Sequence, residues 1–243
     1  RSTLFPYTTL FRSLFIATAD WRSLISLQGG ATLNAVNPGF TQITDTVIDV
    51  PGGATFNAPY VNALVNSQLT LTAGSTFTTQ TLTEIDNSRI ATNGGITFDR
   101  VGDTDYVDTR SVQEQIFSAR GGSTLDLSSL ESIVLNQGGY IKTILANNST
   151  IDLSNVTSLG AGSGAGILEL RVEAGGNILL DSLQQVNSQA NNSSDRVWFY
   201  YEAGRSFTLP AQTAINTEFY LPANTTLDLP NLTSMNRDRK SVV

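Results

Sequence analysis

The chain of 243 residues contains neither cysteine nor histidine. Without cysteine it can form no disulfide framework and no thiolate metal site. Without histidine it lacks the side chain that most often acts as a general base, and also the commonest zinc ligand. No run of apolar residues is long enough to cross a bilayer as a helix. These absences argue against triad hydrolases, zinc enzymes and helical membrane insertion.

Charged residues are also scarce, at 14% of the chain against roughly 25% in ordinary domains. Those present are mostly acidic, 21 against 14 basic, which argues against nucleic-acid binding because phosphates require clustered Lys and Arg. Thr, Ser, Asn and Gly take the place of the charges, a mixture that disfavours helices and suits short strands with tight corners. The apolar fraction of 40% is too high for a disordered linker. The composition therefore predicts a core built from many short strands.

Both ends of the chain resemble translated sequencing-library adapters rather than protein sequence. Residues 1–13 read RSTLFPYTTLFRS, and residues 238–243 read DRKSVV. We expect the native sequence to span 14–237 and to be an internal fragment of a longer protein; the alternative is a genuine terminal strand and a basic tail. Setting the ends aside removes four basic residues and one acidic residue, which leaves 10 basic and 20 acidic residues and a net charge of −10.

An internal repeat organises the native region. The segment GSTLDLSSLESI at 122–133 returns as NSTIDLSNVTSL at 148–159 and as NTTLDLPNLTSM at 224–235. The first apolar residue of each copy, here called the anchor, recurs every 20 to 29 residues. The anchors are Leu33, Phe56, Phe77, Phe98, Leu125, Ile151, Ile178, Phe207 and Leu227. A period of this size is typical of solenoids.

Within a copy, apolar residues fall at the anchor and then two, five and eight positions later. A second alternating strand precedes each anchor and is separated from it by a Gly- or Asn-containing corner. The pattern predicts an all-β, parallel β-solenoid of about nine coils, right-handed by the usual handedness of parallel crossovers. A leucine-rich-repeat horseshoe is the alternative. Residues 14–28 are expected to belong to a preceding coil, with Ile25 and Leu27 pointing inward.

This repeat style resembles the large β-solenoid proteins of bacteria that are secreted or surface-exposed, including adhesin-like and autotransporter-passenger-like arrays. The resemblance covers residues 14–237 and depends on the Thr-, Asn-, Gly- and Asp-rich repeats rather than on a diagnostic motif. It implies a secreted or cell-surface location and a structural or adhesive role. From the repeat, the acidic surface and the missing His and Cys we expect no catalysis, and the candidate partners are surface glycans or other cell-surface proteins. The alternative is a polysaccharide-binding or polysaccharide-degrading β-helix protein, with Asp126, Asp152 and Arg171 as candidate catalytic residues.

The position after the anchor predicts a column of carboxylates. Asp99, Asp126 and Asp152 would lie in consecutive coils, about 5 Å apart. Each could cap the turn that follows it, three together could bind calcium, or a pair could act as in a retaining glycosidase. A second possible cation site combines Asp99 with Asp103, Asp105 and Asp108, for which the simpler interpretation is a solvated acidic loop.

The strand before the anchor predicts two further outward columns, one with Lys142, Glu169, Trp198 and Glu218, and one with Ile144, Arg171, Tyr200 and Tyr220. Lys142 and Glu169 would then be neighbours. Arg171 could lie over Tyr200 as a cation–π pair. With Trp198 and Tyr220 these two residues would form an exposed surface suited to stacking on sugar rings, so the four are candidate ligand-binding residues. Cross-strand aromatic packing explains the same pattern without a ligand.

Overall fold

The computed structural model describes residues 23–136, 140–161, 166–187 and 196–236. The predicted adapter-derived ends lie outside these residues. The first nine strands are β1 (Ser23–Ser26), β2 (Thr32–Asn34), β3 (Gln42–Thr44), β4 (Thr46–Val50), β5 (Thr55–Asn57), β6 (Ala63–Val65), β7 (Gln68–Thr72), β8 (Thr76–Thr78) and β9 (Arg89–Asn93). The next nine are β10 (Thr97–Phe98), β11 (Asp105–Asp108), β12 (Glu114–Arg120), β13 (Thr124–Asp126), β14 (Ser132–Leu135), β15 (Ile141–Asn147), β16 (Thr150–Asp152), β17 (Ser158–Ala161) and β18 (Ile167–Glu173). The last eight are β19 (Asn177–Leu179), β20 (Gln185–Asn187), β21 (Arg196–Tyr200), β22 (Ser206–Thr208), β23 (Thr213–Ile215), β24 (Thr217–Tyr220), β25 (Thr226–Asp228) and β26 (Ser234–Asn236).

The strands form the three faces of a parallel β-solenoid. The long sheet has nine strands in the order β1-β4-β7-β9-β12-β15-β18-β21-β24. The anchor face contains three shorter sheets, β2-β5-β8, β10-β13-β16-β19 and β22-β25. The third face contains β3-β6 and the six-stranded sheet β11-β14-β17-β20-β23-β26. The strand pairs within these sheets are parallel, and no helix occurs in the described residues. The predicted solenoid is confirmed, and the horseshoe alternative is wrong.

The repeated apolar positions form one continuous core. Relative exposure is 0% at all four positions in two successive coils: Leu125, Leu127, Leu130 and Ile133, then Ile151, Leu153, Val156 and Leu159. Alternation explains the inward set, because successive side chains of a strand point to opposite faces. The predicted contribution of the first described residues also holds, since Leu27 is buried and Ile25 packs half-buried against the same core.

The corner between the long sheet and the anchor face requires left-handed backbone. Ala174 and Gly175 have φ of 49° and 81°, and Asn148 has φ of 47° in the preceding coil. Gly and Asn adopt this conformation at little cost, and for this reason the predicted small-residue corners recur there.

The corner between the third face and the long sheet accounts for the length of the longest repeats. In short coils one or two residues make this turn, with positive φ at Asp45, Asn66 and Asn216. In the longer coils five or more residues separate the strands, as between Asp108 and Glu114. Solenoids tolerate insertions between their repeated strands, and the strands on either side of residues 109–113 still pair with those of neighbouring coils.

The acidic segment 99–115 is more ordered than its sequence suggests. The simpler interpretation of its four aspartates is a solvated acidic loop, but residues 105–108 form β11 and pair with β14. Tyr106 and Asp108 point inward and are 0% and 1% exposed. The prediction of a solvated acidic loop is therefore wrong for Asp108, because alternation in this strand places every second residue in the core.

Candidate functional site

The structure places the predicted aspartate column in register. Asp126 lies opposite Asp152, and Asp99 directly follows Phe98, the partner of Leu125. Each carboxylate nevertheless has its own local partners. Asp126 Oδ1 accepts hydrogen bonds from the backbone N–H of Ser128 at 2.9 Å and from its hydroxyl at 2.6 Å.

The other two aspartates also have local partners, but only Asp152 caps its turn. Asp152 Oδ1 accepts from the backbone N–H of Ser154 at 2.9 Å, and Asp99 pairs with the exposed Arg100 at 3.4 Å. Within the described ranges, no group of three or more acidic side chains is placed to hold a metal ion. The geometry favours the turn-capping interpretation of the column over calcium binding or carboxylate catalysis.

The aromatic cluster, consisting of Trp198, Tyr200 and Tyr220, forms on the outer face of the long sheet as predicted. Tyr200 and Tyr220 stack with ring centroids 4.1 Å apart and planes 4° from parallel. Trp198 meets both rings edge-on, at 6.2 and 6.0 Å. The Arg171 guanidinium lies 4.6 Å from the Tyr200 ring centroid. All four predicted ligand-binding residues are therefore brought together.

The arrangement of the rings differs from a sugar-stacking platform. Arg171 and Tyr220 are on opposite neighbouring strands of Tyr200, so they cover its two faces. Trp198 Nε1 is buried without a hydrogen-bond partner, and the Tyr220 hydroxyl donates to Glu218 Oε2 at 2.7 Å. That hydrogen bond raises the pKa of Tyr220. The ring faces are used mainly by neighbouring side chains, which favours the cross-strand packing interpretation.

Two residues predicted for these outward columns, Lys142 and Ile144, point inward instead. Lys142 lies opposite Leu168, and Glu169 lies opposite Thr143, so Lys142 and Glu169 are not the predicted neighbours. Ile144 is likewise fully buried. Between Asn147 and Thr150 the corner has two residues, whereas the next coil has three between Glu173 and Asn177. Counting back from the anchor therefore misplaces this strand by one residue, which exchanges its two faces.

Lys142 belongs to a charge cluster that the sequence reasoning missed. The charge cluster consists of Arg89, Asp108, Arg110, Glu114 and Lys142. Lys142 Nζ lies 2.6 Å from Glu114 Oε1 and 3.2 Å from Asp108 Oδ2. Arg110 Nη2 contacts the same two carboxylates at 2.7 and 2.9 Å, and Arg89 Nη1 lies 2.9 Å from Glu114 Oε2. Three cations thus share two carboxylates inside the rod.

Burial and pairing oppose each other at Asp108. Burial alone would raise the pKa of its carboxyl, but hydrogen bonds from Arg110 hold the pKa below the ordinary value. The Tyr106 hydroxyl donates to Asp108 Oδ2 at 3.2 Å, and burial raises the pKa of that phenol far above its ordinary value. Asp108 is therefore a carboxylate surrounded by donors in a water-poor setting.

The charge cluster forms where the insertion corner meets a β-bulge. Residues 109–113 carry the chain from β11 to β12, and the bulge at Ile116 shifts the register between Gln115 and Phe117. A sequence signal was available: in a chain with few charges, Asp108, Arg110 and Glu114 fall within seven residues. Lys142 could not be predicted to join these three residues, because its pairing with the neighbouring strands was assigned wrongly by one residue.

Comparisons with known proteins give no family for the chain. No family model, curated protein or solved structure matches it. No helix in the described ranges has the length and apolarity needed to cross a membrane.

Two breaks interrupt the anchor face in the described residues, one between β8 and β10 and one between β19 and β22. The second break forms an opening. Strands β19 and β22 belong to separate sheets although their coils pair on the other two faces. Ile178, the anchor beside the opening, is half-buried, whereas the anchors Leu125 and Ile151 are fully buried. The opening leads to a cavity of about 300 Å³, which is lined by apolar residues such as Leu180 and Phe199 and by polar ones that include Asp181 and Arg205.

Arg205 closes part of this opening with its own side chain. Its Nη1 donates to the backbone carbonyl of Gly176. In the following coil the equivalent contact is made by backbone, from the Thr226 N–H to the Arg205 carbonyl. Glu202 lies 3.5 Å from the same guanidinium and accepts from the Gly175 N–H at 2.7 Å. The side chains of Arg205 and Glu202 thus make some of the hydrogen bonds to the preceding coil that backbone would make in a continuous sheet.

Proposed function

We propose that this chain is a structural or adhesive repeat segment of a large secreted or cell-surface protein, and that it has no catalytic activity. The observation that carries the proposal is the single apolar core that runs beneath an uninterrupted nine-stranded sheet. Such an arrangement makes a stiff rod, because each coil is bonded to its neighbours and the core has no break between domains. At a strand spacing of about 4.8 Å, nine strands span about 38 Å.

The state of the surface polar groups supports a structural role. Asp126 and Asp152 cap their own turns, and Arg171 is held by Glu169 at 3.0 Å. A catalytic carboxylate pair needs one group kept available to donate or accept a proton. The three side chains that would form a polysaccharide-cleaving site instead have local partners, and Arg171 lies on a different face from the two aspartates.

Glycan binding at the aromatic cluster is the second candidate. It is favoured by Tyr220, a residue that is 37% exposed and lies on the side of Tyr200 opposite Arg171. A glycan array with the unaltered chain and with Tyr220→Ala tests it. Loss of a specific signal in the variant would support glycan recognition, and absence of any signal from the unaltered chain would rule it out for the glycans on the array.

The structural proposal is tested by display on a bacterial surface. The chain is fused between an export signal and a membrane anchor, with an epitope tag at its outer end. A rod-like spacer is expected to be exported and folded, and to present the tag to antibody. An adhesive segment is also expected to increase attachment of the cells to glycan- or protein-coated plates, relative to cells that carry an unrelated rod of similar length. Retention inside the cell in an unfolded form would contradict both roles.

A further inference from the structure

One buried ammonium contacts two buried carboxylates, whereas a simple ion pair needs only one; the three residues are Lys142, Asp108 and Glu114. Their side chains are 3%, 0% and 3% exposed, and they come from three successive coils. The nitrogen of Lys142 lies between one carboxylate at 2.6 Å and another at 3.2 Å. We propose that Lys142 and Asp108 condense without an external enzyme to form an intramolecular amide bond, with Glu114 as the proton carrier.

The reaction balances with the groups present. The ammonium of Lys142 transfers one proton to Oδ2 of Asp108, and the resulting amine attacks the carboxyl carbon to form the C–N bond. The second proton passes through Glu114, whose Oε1 accepts a hydrogen bond from Nζ, to the same Oδ2. The C–Oδ2 bond then breaks and water leaves. Glu114 ends as the carboxylate it was at the start, and no oxidant, reductant or other reactant is required.

The two oxygens of Asp108 have different surroundings, which suit these two roles. Oδ1 accepts from the backbone N–H of Arg110 at 2.8 Å and from its Nε at 3.3 Å. These donors would stabilise the negative charge that develops on the oxygen that stays. Oδ2, the departing oxygen, lies 3.2 Å from Lys142 Nζ and from the Tyr106 hydroxyl, and it also accepts from Arg110 Nη2 at 2.9 Å. The guanidinium therefore contacts both oxygens, but Lys142 contacts Oδ2.

The same donors make the reaction slow. Because Arg110 holds the pKa of Asp108 low, this carboxyl exists mainly as the anion, and the neutral acid that the amine must attack forms only transiently. The product removes one buried cation and one buried anion and leaves Glu114 with Arg89 and Arg110. Fewer buried charges require desolvation, which favours the product.

An amide at this position would join coils that are otherwise held by hydrogen bonds and packing. Asp108 ends the coil of β9 to β11, and Lys142 begins the coil of β15 to β17. The bond would join the coils on either side of β12 to β14, so these three coils could not separate without breaking a covalent bond. This consequence goes beyond the proposed structural role and does not depend on it.

Mass spectrometry of the whole purified chain tests the proposal. After incubation of the folded protein for several days, the mass is expected to be lower than the sequence mass by one water molecule. Trypsin should then fail to cut after Lys142, and peptide 101–110 should appear joined to peptide 121–171 through Asp108 and Lys142. This branched species separates an amide cross-link from loss of water within a single peptide.

Variants assign the roles. Lys142→Arg is expected to keep the full sequence mass, and Glu114→Gln is expected to slow the loss of water by at least tenfold while circular dichroism shows a folded chain. Asp105→Asn, which removes an exposed carboxylate from the same strand, should still form the cross-link. The unaltered chain held in urea should not.

The unaltered chain itself decides the question. If its mass stays at the sequence value while it remains folded, and trypsin cuts normally after Lys142, the proposal is overturned whatever the variants do. A loss of water that maps to a peptide other than this pair would overturn it equally.

Discussion

Lys142 and Glu114 are 28 residues apart, yet the ammonium and a carboxylate oxygen lie 2.6 Å from each other inside the rod. Glu114 also binds Arg89 and Arg110. Buried ion pairs of this kind add little net stability when formed, but the loss of one partner is costly because charges are then left unpaired. The charge cluster therefore ties the insertion corner to the coils on either side.

The first prediction follows from this pairing. Glu114→Gln should lower the free energy of unfolding by about 3–5 kcal/mol, because the buried ammonium of Lys142 and two half-buried guanidinium groups lose their shared carboxylate. Glu131→Gln is the control, since Glu131 is exposed and its substitution should change stability by less than about 0.5 kcal/mol. Urea unfolding followed by circular dichroism measures both. Equal effects of the two changes would contradict the burial of Glu114.

Leu153 tests the shared core. Leu153→Asp should destabilise the chain by more than about 4 kcal/mol, because it removes packed apolar surface and buries a charge without a partner. Asn155→Asp also introduces an aspartate, two residues later at an exposed position, and should lower stability by about 1 kcal/mol or less. Thermal unfolding of the two variants provides the comparison, and an unaltered melting temperature for Leu153→Asp would place that side chain outside the core.

Two adjacent glycines should differ in what they tolerate. Gly175 has φ of 81° and open space where a Cβ would lie, so Gly175→Ala should cost only the backbone strain, about 1 kcal/mol. A Cβ on Gly176 would overlap the Ala146 carbonyl oxygen of the preceding coil. Gly176→Ala must push two coils apart and should cost about 1–3 kcal/mol more than Gly175→Ala. The order of the two midpoints in urea checks this, and a reversed order would refute the close approach of the coils.

The aspartate column gives a prediction about calcium. Asp126→Ala should lower stability by about 1 kcal/mol through loss of its bonds to Ser128. The melting temperature of the unaltered chain should be the same in calcium and in chelator, because Asp126 and Asp152 cap their own turns and Asp99 pairs with Arg100. A rise in melting temperature with calcium that disappears in Asp126→Ala would instead establish a metal site in the column.

The pH dependence of stability should carry a contribution from Asp103. Burial raises the pKa of this carboxyl above its ordinary value of 3.8, although the Ile85 N–H donates to it at 2.8 Å. Just above pH 3.8 the folded chain therefore retains a proton that the unfolded chain has lost. The stability contributed by Asp103 should fall as pH rises through this window and level off above the folded pKa.

Asp103→Asn removes that titration. The free energy of unfolding of the unaltered chain, minus that of the variant, should decrease from about pH 3.5 upward and then become constant. Urea titrations across this range measure the difference. A difference that increases with pH would mean that the folded pKa is lowered rather than raised.

The repeat was sufficient to predict the faces of the rod wherever the corners have constant length. Leu153 and its equivalents could be assigned to the core because alternation and a fixed apolar spacing leave one consistent solution. Lys142 could not be assigned, because the corner that follows its strand is shorter by one residue, which exchanges the two faces of the strand. The length of a corner can be counted only when the pairing of the strands on either side is known. The aromatic cluster was predicted from the same counting, but the covering of the Tyr200 ring by Arg171 and Tyr220 was not.

The sequence by itself determined the architecture, since apolar residues repeated at strand and corner spacing can be buried only by stacking coil upon coil. The tertiary structure alone decided which charges meet. Asp108, Glu114 and Lys142 come from three coils, and a bulge and an insertion bring them to one point. Periodicity describes what every coil shares, whereas the charge cluster and the opening beside Ile178 arise where individual coils depart from the period.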